Sequence, residues 1–410
     1  MTVKIVVQKF GGTSVNTREL REKAALKVQE TQKEGFSPVV VVSAMGRKGA
    51  PYATDTLISL AREEFSNLDP RDLDLLLSCG EIISAVVMSQ TLRRMGMKSV
   101  AFSGAQAGII TDSHFGDASI LRVEPDRIKK YLDKGYVVVV AGFQGATEEG
   151  EITTLGRGGS DTTAVVLGIY LQADYVDIFT DVNGVFTADP RIVPEAQILQ
   201  GLTYTEAAEM IQQGAKVIHH KAMNLAREYR IPLRVRSLSD EGKGTLICDI
   251  STLTKEGLRI LSQEEPVYSI AYRRGLAQVR VNLGDSENGE LKIFQSLAQE
   301  GISIDLVSLF PEGTAFVVDE TVGSKVEEIL RREGFEVNLT LPCAKVSLVG
   351  SDMADRPGVV AQLVEALKDA NIEILQTGDS HITISCLVKS QDMERAIQVL
   401  HHKFRLEKAC

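Results

Sequence analysis

Runs of β-branched residues alternate with helical patterns through the first 245 positions of the chain. Six runs indicate strands: Lys4–Gln8, Pro38–Ser43, Ser99–Phe102, Tyr136–Gly142, Tyr175–Thr180 and Leu233–Arg236. Several are apolar at every position, which is typical of parallel strands covered by helices on both faces. The pattern therefore predicts an α/β fold, an open αβα sandwich with a mostly parallel sheet over residues 1–245, whose active site lies at the carboxyl ends of the strands.

Two helix starts carry recognisable capping patterns. Asn16 with Glu19 precedes an apolar helical repeat, and Thr203 with Glu206 precedes another. In such a capping box, each side chain bonds the backbone N–H of the other residue. We therefore expect helices to begin at both places.

An internal repeat follows the polar stretch 237–255, which we interpret as the exit from the first domain. The segment 277–281 resembles 344–348, and 301–305 resembles 371–375, roughly 70 residues apart. Within each copy the order is strand, helix, strand, strand, helix, strand. The repeat predicts two ferredoxin-like βαββαβ domains, at 265–341 and 342–410.

Composition, net charge and cysteine spacing argue against several classes of function. The 410 residues are 44% hydrophobic with a formal net charge of −10, which argues against a nucleic-acid or anionic-membrane surface. The five cysteines are scattered without a Cys-x-x-Cys pair, so neither a disulfide framework nor a zinc site is indicated. The first residues read as a strand rather than a secretory signal, and we expect a cytoplasmic protein that acts on small molecules.

Two glycine turns stand where strands give way to helices. Residues 155–163 combine Arg157, three glycines, Ser160 and Asp161, and residues 7–14 place Lys9 before Gly11 and Gly12. Glycines let backbone N–H groups approach an anion, and arginine can grip a carboxylate with two parallel bonds. Two such turns suggest two anionic substrates. The alternatives are a helix cap formed by Ser160 or Asp161, and a solvated lysine at a strand end.

Neither common nucleotide motif is present, since the chain has no Gly-x-x-x-x-Gly-Lys-Ser/Thr loop and no Gly-x-Gly-x-x-Gly after the first strand. Instead it carries Lys-Phe-Gly-Gly-Thr-Ser at 9–14, Ser-Ala-Met-Gly at 43–46, Gly-Glu at 80–81, Gly-Arg-Gly-Gly-Ser-Asp at 156–161 and Thr-Asp-Val-Asn-Gly-Val-Phe-Thr-Ala-Asp-Pro-Arg at 180–191. Together these motifs, in this order, resemble the aspartate kinases of the amino-acid kinase superfamily. The paired C-terminal repeats resemble that family's two ACT regulatory domains.

The resemblance implies transfer of the ATP γ-phosphoryl group to the side-chain carboxylate of L-aspartate, the first step towards lysine, threonine and methionine. It implies ATP and Mg²⁺ as cofactors, with Lys9 and Asp161 as catalytic residues. Substrate contacts are implied for Ser43, Thr54, Glu81, Arg157, Gly158, Gly159 and Ser160. Nucleotide contacts are implied for Lys9, Phe10, Gly11, Gly12, Thr180, Asp181, Phe186, Thr187, Asp189, Arg191 and Lys216.

Several of these assignments have structural alternatives. The register at Thr54 is open because of the preceding insertion, and Thr56 competes with it. Glu81 could be a charge on a helix surface, and Asp189 with Arg191 could form an ordinary turn with an exposed ion pair. Adjacent histidines at 219–220 and 401–402 point about 100° apart on a helix, so we expect structural or exposed roles rather than metal binding.

ACT domains imply feedback by an end-product amino acid and a homodimer formed through these domains. By resemblance the effector contacts are Asp305, Gln376, Thr377, Asp379 and Ser380. Segments 43–56 and 77–81 look most like the diaminopimelate-responsive bacterial type, with lysine and threonine also open. Three other readings remain: another kinase of the superfamily, a catalytically silent amino-acid sensor, and a bifunctional kinase–dehydrogenase, for which the chain is short.

Overall fold

The computed structural model describes residues 4–215, 217–240, 242–258, 267–284, 288–350, 353 and 356–408. They form two compact units. The first comprises the described parts of 1–185, 198–211 and 216–260, and the second comprises those of 186–197, 212–215 and 261–410. Two short stretches of the first 245 residues thus belong to the second unit.

The first unit contains an eight-stranded sheet and a four-stranded sheet. Its strands are β1 Ile5–Phe10, β2 Ser37–Val42, β3 Ser99–Phe102, β4 Ile109–Thr111, β5 Ile120–Val123, β6 Val137–Ala141, β7 Gln144–Ala146, β8 Ile152–Thr154, β9 Tyr175–Thr180, β10 Gly201–Thr203, β11 Leu233–Ser237 and β12 Thr245–Cys248. The large sheet has the order β10-β12-β11-β9-β1-β2-β6-β3, and the small sheet β5-β4-β7-β8. In the large sheet only the β11–β12 pair is antiparallel.

Helices cover both faces of the large sheet. They are α1 Arg18–Lys33, α2 Thr54–Glu64, α3 Pro70–Arg94, α4 Asp126–Leu132, α5 Gly159–Leu171, α6 Tyr204–Gln212, α7 His220–Tyr229 and α8 Ile250–Lys255. On one face, α1 and α3 share a core with Phe10 and Phe179. On the other, α5 places Gly168 against Val176, where an added Cβ would lie 2.6 Å from a valine methyl. Because neighbouring residues of a strand point to opposite faces, Val176 and Phe179 establish the two layers, and the predicted αβα sandwich is confirmed.

The capping patterns had different outcomes. Thr203 and Glu206 bond each other's backbone N–H groups at 3.2 and 2.7 Å, so that capping box is confirmed. The prediction at Asn16 was wrong by one residue, because the hydroxyl of Thr17 caps α1 by accepting the N–H of Leu20.

Helix α3 is long and apolar enough, by length and composition, to cross a membrane. However, 56% of its apolar window is buried inside the unit, and Ala85, Met88 and Leu92 lie in the core with α1. The long apolar run is that of a central core helix.

The second unit is built on one six-stranded sheet. Its strands are β13 Val267–Asn282, β14 Asp305–Phe310, β15 Gly313–Asp319, β16 Glu336–Gly350, β17 Gln376–Asp379 and β18 Thr383–Lys389, in the order β14-β15-β13-β16-β18-β17. Its helices are α9 Gly289–Gln299, α10 Gly323–Arg332, α11 Val359–Asp369 and α12 Met393–Lys403. Two separate apolar cores, one with α9 and α10 and one with α11 and α12, correspond to the two repeats.

The second repeat takes one strand from the sequence of the first. The second half of β13 pairs with β15 and with the start of β16, while its first half, Val267–Arg273, pairs with residues 345–350 of β16. The second βαββαβ arrangement therefore takes the strand Val267–Arg273 from the sequence of the first, whereas the strands of the first all lie within 265–341. Strand β16 also runs across the position 341/342 at which we predicted the boundary between the ACT domains.

Candidate functional site

Lys9 stands near the carboxyl end of β1 and faces the first turn of α5. Its Nζ lies 2.7 Å from Oδ1 of Asp161, and only 13% of each side chain is exposed. The second carboxylate oxygen of Asp161 accepts the backbone N–H of His219 at 3.2 Å. The ammonium group is thus held in one place at the edge of the sheet.

Helix α5 begins without a side-chain cap. Its N-cap is Gly158, whose φ is +73°, and neither Ser160 nor Asp161 bonds the first-turn N–H groups as a cap. Instead Asp161 holds Lys9, and Ser160 lies beside Gly142, where an added Cβ would approach its Oγ to 2.8 Å. The N–H of Gly159 donates to the Gly156 carbonyl at 3.1 Å, and no described side chain caps the N–H groups of Ser160 and Asp161, which suits an anion site.

The glycine turn after β1 packs tightly on the turn after β2. A Cβ on Gly12 would lie 2.3 Å from the carbonyl oxygen of Ala44, and one on Gly11 would lie 3.6 Å from Nζ of Lys9. The ring of Phe10 is buried and stacks on Phe179 with centroids 4.7 Å apart, so Phe10 can offer a ligand only its backbone. The turn thus places the Lys9 ammonium group beside the backbone of Gly11.

Glu81 lies in the middle of α3 and is buried rather than on a helix surface. It is 3% exposed, and its Oε1 accepts the backbone N–H of Ala44 at 2.9 Å. Its Oε2 is buried with no hydrogen-bond partner among the residues that the structure describes. Burial raises the pKa of this carboxyl to about 7, although the Ala44 N–H opposes the increase. A buried carboxylate oxygen in this state calls for a cationic partner.

Ser43 and Thr54 flank the same turn. Ser43 is half-buried and its N–H donates to the carbonyl of Phe10 at 3.2 Å. Thr54 is the first residue of α2, and its competitor Thr56 accepts the N–H of Gly49 at 3.1 Å within the preceding loop. The hydroxyl of Thr56 is therefore already engaged.

Arg157 is exposed, and no ion pair holds it among the residues described. It sits in a loop whose backbone is constrained, since a Cβ on Gly158 would lie only 2.0 Å from Cγ of His219. A Cβ on Gly159 would lie 2.9 Å from the Phe143 ring. The backbone of the loop is closely packed at Gly158 and Gly159, while the guanidinium of Arg157 is exposed and can reach a ligand.

The predicted nucleotide contacts fall into two groups. Thr180 ends β9 and bonds Asp181 at 3.1 Å, and Asp181 also pairs with Arg47 at 3.3 Å, all in the first unit. The structure places the other four described contacts in the second unit: Phe186, Thr187, Asp189 and Arg191. Lys216 lies outside the described residues.

Three of these side chains, those of Thr187, Asp189 and Arg191, make polar contacts within the second unit. Thr187 is fully buried and its hydroxyl lies 3.0 Å from Nε2 of His401. Asp189 holds Arg191 through two bonds of 3.0 and 2.7 Å, and it accepts the hydroxyl of Tyr272 at 2.9 Å. The Arg191 guanidinium lowers the pKa of Asp189.

The predicted effector residues divide between interior and surface. Asp305 pairs with the buried Lys345 at 2.5 Å. Gln376 is buried, donates to the Leu306 carbonyl and to Ser308 Oγ, and accepts from Gln278 at 3.1 Å. Thr377, Asp379 and Ser380 are exposed. Strands β14 and β17 therefore meet through Gln376, although they lie at opposite ends of the sheet order.

Sequence reasoning missed the contributions of His219 and Tyr272. The rings of His219 and His220 lie 4.3 Å apart, and burial lowers the pKa of His219. Among the described residues, no group of three His, Cys, Asp or Glu side chains could hold a metal ion. A pair of histidines opening a helix was a visible signal, whereas nothing in the sequence linked Tyr272 to Asp189.

Comparison with known proteins agrees with this geometry. The chain matches the amino acid kinase family over residues 4–237, more than half of its length, and the ACT domain over 339–402. It is 44% identical to Aspartokinase 1 of Bacillus subtilis (strain 168) over 407 residues, covering 99% of this chain and 100% of that protein. It is 40% identical to an aspartokinase of Geobacillus stearothermophilus over 409 residues, covering 98% and 97%.

Solved structures give the same result. E. coli aspartokinase III in complex with aspartate and ADP, in its R-state, has a TM-score of 0.75 at 27% identity, covering 98% of this chain and 100% of that one. The same enzyme with lysine and aspartate, in its T-state, has a TM-score of 0.73, covering 98% and 99%. The chain therefore belongs to the amino acid kinase family and, within it, to the aspartokinases.

Proposed function

We propose that the residues of the two glycine turns, with Glu81, carry out the aspartokinase reaction of this chain. In that reaction the γ-phosphoryl group of ATP passes to the side-chain carboxylate of L-aspartate, giving ADP and 4-phospho-L-aspartate. The observation that carries the proposal is the buried Oε2 of Glu81, which lacks a partner among the described residues. L-Aspartate supplies the missing cation through its α-ammonium group.

The carboxylates of L-aspartate require a positively charged group in the binding site. Arg157 is exposed in a closely packed loop, and a guanidinium can bind a carboxylate through two parallel bonds. Gly158, Gly159 and Ser160 follow it and add N–H and hydroxyl donors, while Ser43 and Thr54 complete the wall. Glu81 accepts hydrogen bonds from the substrate's ammonium group, and Arg157 donates to a substrate carboxylate. Together they select an acidic amino acid over a simple dicarboxylate, which has no ammonium group.

Phosphoryl transfer depends mainly on position and on neutralising charge. Lys9 stabilises the transferring group, Asp161 holds Lys9, and the N–H groups at Gly11 and Gly12 cradle the phosphate oxygens. Nucleotide contacts come from Phe10, Thr180, Asp181, Phe186, Thr187, Asp189, Arg191 and Lys216.

Mg²⁺ fits this donor set as an ion carried mainly by the ATP phosphates, because it prefers few protein carboxylates and several phosphate or water oxygens. Asp161 and Asp181 are the carboxylates near the strand ends that could orient it. When bound, it supplies further neutralisation of the phosphate charge.

The second unit is the proposed site of feedback regulation. The E. coli enzyme in its T-state holds lysine, and by that likeness an end-product amino acid binds this chain near Asp305, Gln376, Thr377, Asp379 and Ser380. Diaminopimelate, lysine and threonine are the candidates. We further propose a homodimer through the ACT domains and a cytoplasmic location.

ADP release tests the substrate assignment. With ATP and Mg²⁺, we expect release with L-aspartate and little with L-glutamate, succinate or N-acetyl-L-glutamate. Arg157→Ala should raise the KM for aspartate at least about tenfold, because it removes a charge-assisted pair. Arg62→Ala, on the exposed face of α2, is the matched control. Release that is independent of aspartate, or an unchanged KM in Arg157→Ala, would reject the assignment.

A further inference from the structure

Asp74 is a buried carboxylate on α3, seven residues before Glu81 and on the same buried face of the helix. Only 1% of the residue is exposed. Burial of a charged group is costly unless the group is hydrogen-bonded. The donors that surround Asp74 therefore decide what this carboxylate does.

Three donors among the described residues bind the Asp74 carboxylate. Its Oδ2 accepts the backbone N–H of Thr154 at 2.7 Å and that of Gly116 at 2.9 Å, and its Oδ1 accepts the Thr154 hydroxyl at 2.6 Å. Hydrogen bonds to an ionised acceptor are stronger than those between neutral groups. Thr154 is the last residue of β8 and lies three positions before Arg157. The carboxylate thus attaches to α3 the strand that leads into the glycine turn.

A second bond attaches the same pair of strands to α3. Gln144 of β7 is the register partner of Thr154 in β8, and its Nε2 donates to the Ser78 carbonyl at 2.9 Å. Ser78 lies between Asp74 and Glu81 on the buried face of α3. The strand pair therefore meets the helix at two points, which limits both sliding and tilting of one against the other.

Asp74 also supports the glycine turn through a second segment. Gly116, whose N–H it accepts, is followed by Asp117. The Oδ1 of Asp117 lies so close to Gly156 that an added Cβ there would come within 2.2 Å of it. Gly156 immediately precedes Arg157. One carboxylate on α3 thus holds both segments that adjoin the start of the turn.

We propose that Asp74 is a positioning residue for L-aspartate, which sets the separation of Glu81 and Arg157 so that both bind one substrate molecule at once. The inference rests on the proposed function, in which Glu81 binds the ammonium group of L-aspartate and Arg157 binds a carboxylate. Two charges that bind one molecule depend on their separation, and a shift of about 1 Å weakens such an arrangement strongly.

Steady-state kinetics of the intact chain, with ATP and Mg²⁺, test this. Asp74→Asn keeps the shape of the side chain but removes the charge that its donors bind. It should raise the KM for aspartate about fivefold, with kcat and the KM for ATP within twofold of the wild type. Asp72→Asn, at an exposed position on the same helix, is the matched control and should alter none of the three.

Succinate separates positioning from general damage. It carries two carboxylates, as aspartate does, but no ammonium group, so its inhibition constant against aspartate depends on Arg157 and not on the separation from Glu81. That constant should change by less than twofold in Asp74→Asn. A parallel increase in the succinate constant and the KM for aspartate would overturn the proposal. So would a joint change in kcat and both KM values, or an unchanged KM for aspartate.

Thr154→Val gives the same test from the strand, and it decides the matter if Asp74→Asn does not fold. It removes the hydroxyl that donates to Oδ1, keeps the branched shape, and should raise the KM for aspartate about threefold. Added to Asp74→Asn, it should contribute less than twofold, because both substitutions weaken one contact. Full multiplication of the two effects, or no effect of Thr154→Val, would contradict the proposal. Failure of the proposed function is distinguishable, because the wild type would then release ADP without aspartate.

Discussion

Burial of Glu81 makes a specific prediction about stability and pH. In the folded chain the carboxyl keeps its proton up to a pKa of about 7, whereas the ordinary value is 4.5. Between these values the folded state binds more protons than the unfolded state. The bound proton therefore stabilises the fold at low pH, and this contribution disappears as the pH rises through 7.

The size of the effect follows from the two pKa values. At pH 5 the bound proton contributes about 2.5 kcal/mol to the free energy of unfolding, and at pH 8 it contributes almost nothing. In Glu81→Gln the amide is neutral at every pH and can still accept the Ala44 N–H, so this pH-dependent loss is removed. The wild type should thus lose about 2.5 kcal/mol relative to the variant between pH 5 and pH 8.

Thermal unfolding at a series of pH values measures this difference. For a unit of this size, we expect the Tm of Glu81→Gln relative to the wild type to rise by about 5–10 °C from pH 5 to pH 8. The same substitution at the exposed Glu228 should leave the two curves parallel. Parallel curves for Glu81→Gln itself would show that this carboxyl is not desolvated, and the argument for an ammonium partner would lose its basis.

Two further predictions concern the glycine loop and the lysine. Gly158→Ala should lower kcat/KM for aspartate more than tenfold, because the new Cβ would collide with the His219 ring. Gly35→Ala should not lower it, since Gly35 has a similar positive φ but open space around it. Equal effects of the two substitutions would point to backbone strain alone. Asp161→Asn should lower kcat by about tenfold to a hundredfold with little change in KM, since Lys9 loses its charged partner 2.7 Å away; a single-turnover assay with an unchanged rate would contradict that role.

The sequence was most informative where local patterns decide the outcome. Strands such as Val137–Ala141 are recognisable because every side chain is buried. The Thr203–Glu206 box is a purely local exchange of hydrogen bonds. The cap at α1 shifted from Asn16 to Thr17 because both residue types accept N–H bonds, and their backbone geometry, which the sequence leaves open, chooses between them.

The sequence indicated the residue types of the candidate site, but not their burial or the long-range contacts that hold them. The motifs indicated Lys9, Asp161 and Glu81, yet burial of Glu81 depends on how α3 packs, so a surface position was an open alternative. The contacts of Thr187 with His401 and of Asp189 with Tyr272 join residues more than 80 positions apart. No periodicity encodes such pairings, and only the folded chain reveals that the segment around Asp189 lies in the regulatory unit.

The strand that the second repeat takes from the first has a consequence for biosynthesis. Val267–Arg273 leaves the ribosome before its partner strand, residues 345–350 of β16, has been translated. Until then this stretch, which includes the buried Tyr268 and Ile270, has no sheet to join. The second repeat should consequently gain protease resistance later than the first, whose strands all lie within 276–341 and can pair before residues 345–350 are made.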